Sequence, residues 1–308
     1  MRLFAASVIL IMLAAVAGPA GAHEGMGGIG LEARPSVEAL GMGETGVVET
    51  RNCGGFPANP AMLTWSPAGG VTFGHGSLVE GVSTPATSFC IAIPLGTPVD
   101  VPPLGDVGRP FCLGFSIDHS TVELSQGTEW GWNLISLGAS YRVAPYASAG
   151  LAGKYLFSAS DLEGSDVKAF GIDLGAIVEM TPVLRLALSL RNLFGKATWE
   201  DGEDETPPFA LAVGAGLSLP YSALGHAAYT YSAGAPGELG LGLDVPMSDT
   251  GLSLRGGYIR HSGEYSRSVF TAGFGYAYKA VSLDYAVKLD EELVLGTTHH
   301  VSIGLMLP

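Results

Sequence analysis

The tripeptide Asp118-His119-Ser120 contains the three residue types of a serine-hydrolase triad. In such a site the imidazole takes the proton of the serine hydroxyl, so the two side chains must lie within hydrogen-bonding reach. The residues around the tripeptide alternate in polarity, which is typical of a β-strand. Successive strand residues point to opposite faces, so His119 faces away from both neighbours. His261-Ser262 has the same defect, and we expect that the protein is not an enzyme.

Metal and cofactor sites are also not expected. The acidic run from Glu200 to Glu205 matches no calcium-loop spacing, and it reads as a solvated loop. The glycine-rich stretch from Gly25 to Gly30 fits a dinucleotide fingerprint by letter only, because no strand precedes it and no helix follows. His299 and His300 point to opposite faces of a strand and cannot share one ion.

Charged side chains along the alternating segments form a second set of chemically capable residues. They fall on the face opposite to the apolar one, and both signs occur among them. A ring that selects ions would favour one sign. We therefore predict a network of ion pairs in a lumen, between the wall and a segment inside it. Its members are Arg142, Lys154, Asp173, Arg185, Arg191, Arg255, Asp284 and Lys288.

The elements that position these residues are strands. From about residue 70 onward the chain alternates with period two, as in Leu184 to Arg191 and Phe209 to Leu219. One face is fully apolar, whereas the other is mostly Gly, Ala and Ser rather than the Lys, Glu and Thr of a solvated sandwich. About fourteen segments are long enough to cross a bilayer. The pattern predicts an all-β protein, a closed antiparallel transmembrane β-barrel of about fourteen strands.

Composition agrees with that class. The 308 residues include 45 glycines, only 14% are charged, and 47% are hydrophobic. Chains that are poor in charge and rich in glycine are ordinary for membrane barrels. The net charge of −14 leaves no basic stripe for phosphates, so nucleic acid is not an expected partner.

Three segments make up the chain. Residues 1–22 have a positive end, an apolar run and a small-residue cleavage site at Ala22, which predicts an exported protein. Residues 23–69 form an N-terminal segment that plugs the lumen, and residues 70–308 form the barrel. The long connection 96–110 stands where a short turn is expected. With Pro85, Pro94 and Pro110 nearby, we expect disturbed strand pairing there.

The cysteines are Cys53, Cys90 and Cys112, and export takes them to an oxidising compartment. Alternation places Cys90 and Cys112 on the same face of neighbouring strands, so a disulfide between them is expected, with Cys53 free. The alternation leaves the register open. The alternative is a disulfide between Cys53 and one of the two wall cysteines.

The N-terminal segment resembles that of the PorV/PorQ-like and FadL-like outer-membrane barrels. The matching residues are Ala39, Leu40, Gly41, Met42 and Gly43, followed by Asn59, Pro60 and Ala61. The resemblance implies a hatch folded into the barrel, in which Pro60 starts a short helix capped by Asn59.

Two functions follow from this resemblance. The PorV-like group implies an outer-membrane component of type IX-like protein secretion that binds cargo and hands it on. FadL-like barrels imply passive transport of hydrophobic compounds past a hatch and through a gap in the wall. As partners we expect outer-membrane lipid, the barrel-assembly machinery, and either secreted cargo proteins or hydrophobic small molecules.

Overall fold

A computed structural model gives the architecture of the chain. The structure describes residues 31, 34–48, 52–65, 69–77, 85–97, 100–101, 105–106, 109–125, 128–161, 164–247, 250–263, 266–290 and 296–307. The predicted signal peptide lies outside these residues.

The described residues form a closed antiparallel β-barrel of fourteen strands, as predicted. Each strand pairs with its neighbours in sequence, and the first pairs with the last through Gly70–Met306 to Gly76–His300, which closes the ring. The strands are β1 Gly70–Ser77, β2 Pro85–Leu95, β3 Phe111–Ser125, β4 Thr128–Ala144, β5 Ala147–Ser160, β6 Val167–Thr181, β7 Leu184–Trp199, β8 Ala210–Ser218, β9 Leu224–Ser232, β10 Glu238–Pro246, β11 Leu252–His261, β12 Arg267–Tyr278, β13 Val281–Asp290 and β14 Gly296–Met306.

The two faces of the ring differ as the alternation predicts. The outer face is a continuous apolar band, in which Leu137 is 62% exposed and Leu151 and Ile303 are more than half exposed. The inner face carries small buried residues, such as Ser136, Ser140 and Ser189. An exposed apolar band of this extent is unfavourable in water and suits the hydrocarbon layer of a bilayer.

The connections differ in length between the two ends of the ring. Tight turns at residues 145–146, 182–183 and 279–280 lie at one end, which we call the short-turn rim. Longer connections, such as residues 200–209, lie at the opposite end, the long-loop rim. In bacterial barrels short turns face the periplasm and long loops face outward.

The expected disturbance near residues 96–110 is wrong. The β2–β3 ladder runs without a register shift from Ala86–Ser120 to Leu95–Phe111. Proline is tolerated here because Pro85 begins its strand and Pro94 lies near the end of the ladder. The connection itself contains a small hairpin of Asp100–Val101 and Gly105–Asp106.

The N-terminal segment, residues 34–65, contributes three short helical pieces. Helix α1 spans Val37–Gly41 and begins after Ser36, whose side chain accepts a hydrogen bond from the Ala39 amide. Two 3-10 turns, Cys53–Gly55 and Pro60–Thr64, follow. Among the described residues, no helix is long and apolar enough to cross a membrane.

Replacing Leu137 with Arg should impair assembly of the barrel. Leu137 lies in the middle of β4 on the apolar band, where an arginine at mid-bilayer costs ~2–4 kcal/mol. The fraction of purified protein that runs as the compact, fast-migrating form on an unheated SDS gel measures assembly. Leu137→Met is the matched control and should assemble normally. Equal assembly of both variants would mean that this band does not face lipid.

Candidate functional site

The N-terminal segment lies inside the ring, because its pieces touch inner-face residues on all sides. Helix α1 packs against β11 to β14, whereas the turn Pro60–Thr64 packs against β3 to β6. The turn Cys53–Gly55 contacts β1 and β2. Val47 and Val48 lie against Gly214 and Gly216 of β8. The segment therefore crosses the lumen rather than hanging from a rim.

Asn59 organises the Asn-Pro-Ala turn. The side-chain oxygen of this fully buried residue accepts a hydrogen bond from the Ala61 amide at 3.1 Å, and its amide group donates to the Val47 carbonyl at 2.9 Å. Pro60 follows as the first residue of the 3-10 turn. The predicted capping of a short helix by Asn59 is confirmed.

The wall receives this turn through serine hydroxyl groups. Ser140 of β4 and Ser148 of β5 both donate to the Ala61 carbonyl, at 3.2 and 3.0 Å. The Trp65 indole nitrogen donates to the Ser148 hydroxyl at 2.6 Å. Buried carbonyls need such partners, and these two serines supply them for the Asn-Pro-Ala turn.

Glycines bring the wall close to the backbone of the segment. A side chain at Gly150 would collide with Pro60 and Ala61, and one at Gly242 would collide with Met42. Gly43 has a positive φ of 67°, and its amide donates to the Thr271 hydroxyl at 3.0 Å. The small inner-face residues thus accommodate the segment, and the motif residues Gly41, Met42 and Gly43 lie where α1 meets the wall.

Arg255 holds a buried ionic cluster under α1. Its guanidinium contacts Asp284 at 2.7 Å, Glu38 at 3.1 Å and Asp244 at 3.2 Å. Glu38 also accepts a hydrogen bond from Asn52 at 2.7 Å. One arginine therefore links two wall strands, β10 and β13, to two parts of the N-terminal segment.

The other predicted network residues make contacts at several places on the inner face. Lys288 pairs with Glu44 of the segment at 2.7 Å. Burial alone would raise the pKa of Glu44, but the Lys288 ammonium outweighs it, so the pKa lies below its usual value and the pair stays ionised. Arg185 pairs with Glu179 at 2.9 Å. Arg142 donates to the Thr64 carbonyl, and both arginines stack on the Trp65 ring.

Lys154 and Asp173 form a buried ion pair at 2.9 Å beside an irregular part of the wall. Lys154 also donates to the side-chain oxygen of Asn192 at 2.6 Å, and Asp173 accepts from the Asn192 backbone amide at 2.9 Å. The Asn192 amide group donates to the Pro208 carbonyl at 2.9 Å. These bonds hold the backbone of β7 in a conformation that departs from that of a regular strand.

At this place the strand pairing that forms the barrel wall is interrupted. Along β6–β7 the register passes from Phe170–Lys196 to Ile172–Leu193 and then to Leu174–Leu190, so β7 contains two extra residues. Within the fully described stretch 184–247, the β7–β8 ladder ends at Arg191–Ala210. Pairing on this side of β7 resumes only at Ala197–Glu205, where Glu205 belongs to the connection between β7 and β8. We call residues 192–196 of β7 the wall break.

Two residues of the wall break adopt backbone conformations that side chains disfavour. Asn192 has φ 60° and Phe194 has φ 53°. Left-handed backbone at a bulky residue such as phenylalanine is uncommon and persists only where surrounding contacts enforce it. The Phe194 side chain is 84% exposed on the outer side of the wall. The strain and the exposed ring mark this place as a functional candidate.

A cavity of about 340 Å³ lies on the inner side, next to the wall break. Arg191 and Ala212 line it from the wall, and Glu44 and Val47 line it from the N-terminal segment. The Glu238 carboxyl group and the His261 imidazole, which lie 3.4 Å apart, line its far side. Its volume is at the lower end of the range for small-molecule sites.

The expected Cys90–Cys112 disulfide is wrong. The register of β2 and β3 keeps the two residues apart, and the structure holds all three cysteines as buried thiols. In the β2–β3 ladder Cys90 is opposite Ser116, and Cys112 is opposite Pro94. The two cysteines are thus four residues apart along the strands, or ~13 Å, far beyond the span of a disulfide.

The alternation from Leu184 to Arg191 predicts a regular strand, and it does not reveal the wall break that follows. A signal is present, because Arg191-Asn192 and Leu193-Phe194 place two polar and then two apolar residues in succession. Such a pair of violations of period two indicates a bulge. Asn192, Phe194, Glu38 and Glu44 are the residues that were not singled out.

Solved structures share this fold over nearly the whole chain. The toluene transporter TbuX of Ralstonia pickettii aligns with a TM-score of 0.64 at 14% identity, over 91% of this chain and 100% of that one. The monoaromatic hydrocarbon channel CymD aligns with 0.64 at 13%, over 90% and 98%. A Pseudomonas aeruginosa FadL homologue aligns with 0.65 at 10%, over 88% and 98%.

The fold is therefore that of the FadL-like barrels. No family model matches the chain, and no curated protein sequence matches it either. Among the residues that the structure describes, no three His, Cys, Asp or Glu side chains lie close enough together to hold a metal ion.

Replacing Gly150 with Ala should loosen the N-terminal segment. The added methyl group would collide with the Pro60–Ala61 backbone, and overpacking of this kind costs ~1–3 kcal/mol. Gly153→Ala, three residues along the same strand, meets nothing within 4 Å and is the matched control. Limited proteolysis in detergent should cut the N-terminal segment faster in the first variant only. Equal cleavage rates would show that the contact does not hold the segment.

Replacing Arg255 with Met should destabilise the barrel strongly. The change leaves three carboxylates close together in a buried site without their cation, and breaking a buried ion pair in this way costs ~3–5 kcal/mol. Arg260→Met removes an exposed arginine of the same strand and should cost less than ~1 kcal/mol. Urea unfolding of both variants in detergent tests the difference. Similar midpoints would argue against a stabilising role for the cluster.

Proposed function

We propose that this protein is a passive, non-enzymatic channel of the bacterial outer membrane that admits small hydrophobic molecules. The single observation that carries the proposal is the position of the wall break directly beside the luminal cavity. Arg191 lines the cavity, and the next residue, Asn192, begins the break. A molecule that enters the cavity from the long-loop rim would therefore lie next to the wall break.

The outer membrane is the location that the molecule supports best. Closed barrels span membranes because every backbone group is paired within the ring, and the apolar band needs lipid. The expected signal peptide agrees with export. The three similar proteins described above are named as a toluene transporter, a hydrocarbon channel and a FadL homologue, and this chain shares their fold.

A sideways route suits hydrophobic molecules better than a straight one. The N-terminal segment crosses the lumen and is held by the Arg255 cluster and the Asn59 turn, so passage to the short-turn rim would require that these bonds break. Leaving through the wall break delivers a hydrophobic molecule into the bilayer, where it is soluble. In this proposal the N-terminal segment acts as a hatch that turns the path aside.

The alternative expectation, a cargo-binding component of protein secretion, has less support. None of the three similar proteins named above is described as a secretion component. The irregular geometry also lies in the wall and the lumen, whereas a cargo-binding role would place the working surface on the loops. The transport role is therefore the one we propose.

Filling the cavity should block uptake. Thr230 of β9 lines the cavity, and tryptophan at this position would occupy much of its volume. The rate of labelled toluene uptake should fall several-fold in cells of an outer-membrane channel-deficient strain that express Thr230→Trp, relative to the unaltered protein.

The control lies one residue away on the same strand. Tyr229 points to the lipid side and is exposed, so Tyr229→Trp should leave uptake unchanged. Both variants must show the compact form on unheated SDS gels, so that lost uptake is not lost folding. If Thr230→Trp folds and transports normally, the cavity is not part of a route. If the unaltered protein gives no uptake above the empty strain, the proposed channel function fails.

A further inference from the structure

Two cysteines meet where the N-terminal segment touches the wall. Cys53 begins the first 3-10 turn of the segment, and Cys90 lies on the inner face of β2. The Cys90 thiol donates to the Cys53 carbonyl at 2.8 Å, and the Cys53 thiol donates to the Cys90 carbonyl at 3.4 Å. Each thiol donates to the carbonyl of the other residue, so the two cysteines lie directly beside each other. Both are more than nine-tenths buried.

The Thr72 hydroxyl group, 3.3 Å from the Cys53 sulfur, fixes the position of that side chain from the neighbouring strand β1. Phe56 and Leu63 of the segment cover the pair as part of one apolar cluster. The segment therefore presents one thiol to one wall thiol in a defined arrangement.

The third cysteine does not compete for this contact. Cys112 belongs to the same cluster, but its thiol donates to the Leu113 carbonyl at 3.6 Å, and it lies four residues from Cys90 along the ladder. A bond between Cys90 and Cys112 would require a shift in strand register. The hydrogen bonds of the Cys53 side chain lead to Cys90 and Thr72, so the segment meets the wall at Cys90.

We propose that Cys53 and Cys90 are a disulfide site, at which oxidation fastens the N-terminal segment covalently to strand β2. The oxidant is a protein disulfide of the compartment through which the chain is exported. One cysteine thiolate attacks the disulfide of the oxidant and forms a mixed disulfide, and the second thiolate then displaces the oxidant. The two cysteines lose two protons and two electrons, and the disulfide of the oxidant becomes two thiols.

The bond would control how far the hatch can move, a consequence that rests on the proposed channel function. Cys53 lies one residue from Asn52, which bonds to Glu38 of the Arg255 cluster, so a bond at Cys53 restrains both halves of the segment. A cavity of about 30 Å³, large enough for a water molecule, reaches Cys90 between Asn52 and Ser116, so packing does not seal the pair on every side.

Peptide mapping tests the bond without reference to transport. The protein is isolated from membranes, alkylated without reductant, denatured and digested. We expect one linked peptide pair that contains Cys53 and Cys90, with Cys112 alkylated only after denaturation. Full alkylation of all three cysteines, or any linked peptide that contains Cys112, would overturn the proposal.

Single substitutions provide the controls. Cys112→Ser should retain the Cys53–Cys90 link, whereas Cys53→Ser should abolish it while the barrel remains compact on unheated SDS gels. A variant with Cys112→Ser that has lost the link would contradict the assignment. If either variant fails to assemble, oxidation of the purified, unaltered protein with a glutathione disulfide buffer replaces it. This oxidation should produce the 53–90 link, and its absence would again overturn the site.

Uptake measurements then test the consequence separately. Oxidised and reduced cells that express the unaltered protein should differ in toluene uptake by at least about two-fold, and cells with Cys53→Ser should respond to neither treatment. A confirmed link with uptake that does not depend on redox state would contradict the hatch role and leave the channel intact. A confirmed link with no uptake in any state would instead contradict the proposed function.

Discussion

The close packing of the N-terminal segment against the inner wall is the constraint on which the other features depend. A backbone segment inside a fourteen-strand ring needs partners for its carbonyl and amide groups and space for its close approach. The wall supplies partners through Ser140, Ser148 and Thr271, and it supplies space through glycines such as Gly150 and Gly242. This requirement explains why the inner face, between its charged groups, is made mostly of small and weakly polar residues.

Packing the lumen so closely also determines where a route can lie. The Arg255 cluster and the Asn59 turn occupy the part of the ring toward the short-turn rim, and the cavity next to the wall break lies beside β7 to β11. The adjacent wall break carries backbone strain at Asn192 and Phe194. The Lys154–Asp173–Asn192 group holds this part of the wall in place. A buried ion pair is a poor source of net stability, and its role here is to specify a conformation.

Alternation identifies the face on which a charged side chain lies but not its neighbours. Lys288 and Arg255 both face inward, yet one binds Glu44 and the other binds Glu38 and two aspartates. These two cations tie different parts of the N-terminal segment to different strands of the wall, so the segment is anchored at more than one point around the ring.

The sequence alone determined the class of fold, the number of strands, the identity of the two faces and the Asn59–Pro60 turn. These features depend on period-two alternation and on capping preferences, which are local properties of the chain. Only the tertiary structure decided the register, which separates Cys90 from Cys112 and brings Cys53 to Cys90 instead. It also decided the place of the wall break, at Asn192 and Phe194 rather than near Pro94. Register and bulges depend on contacts between residues far apart in the chain, and such contacts leave only a faint trace in any one strand.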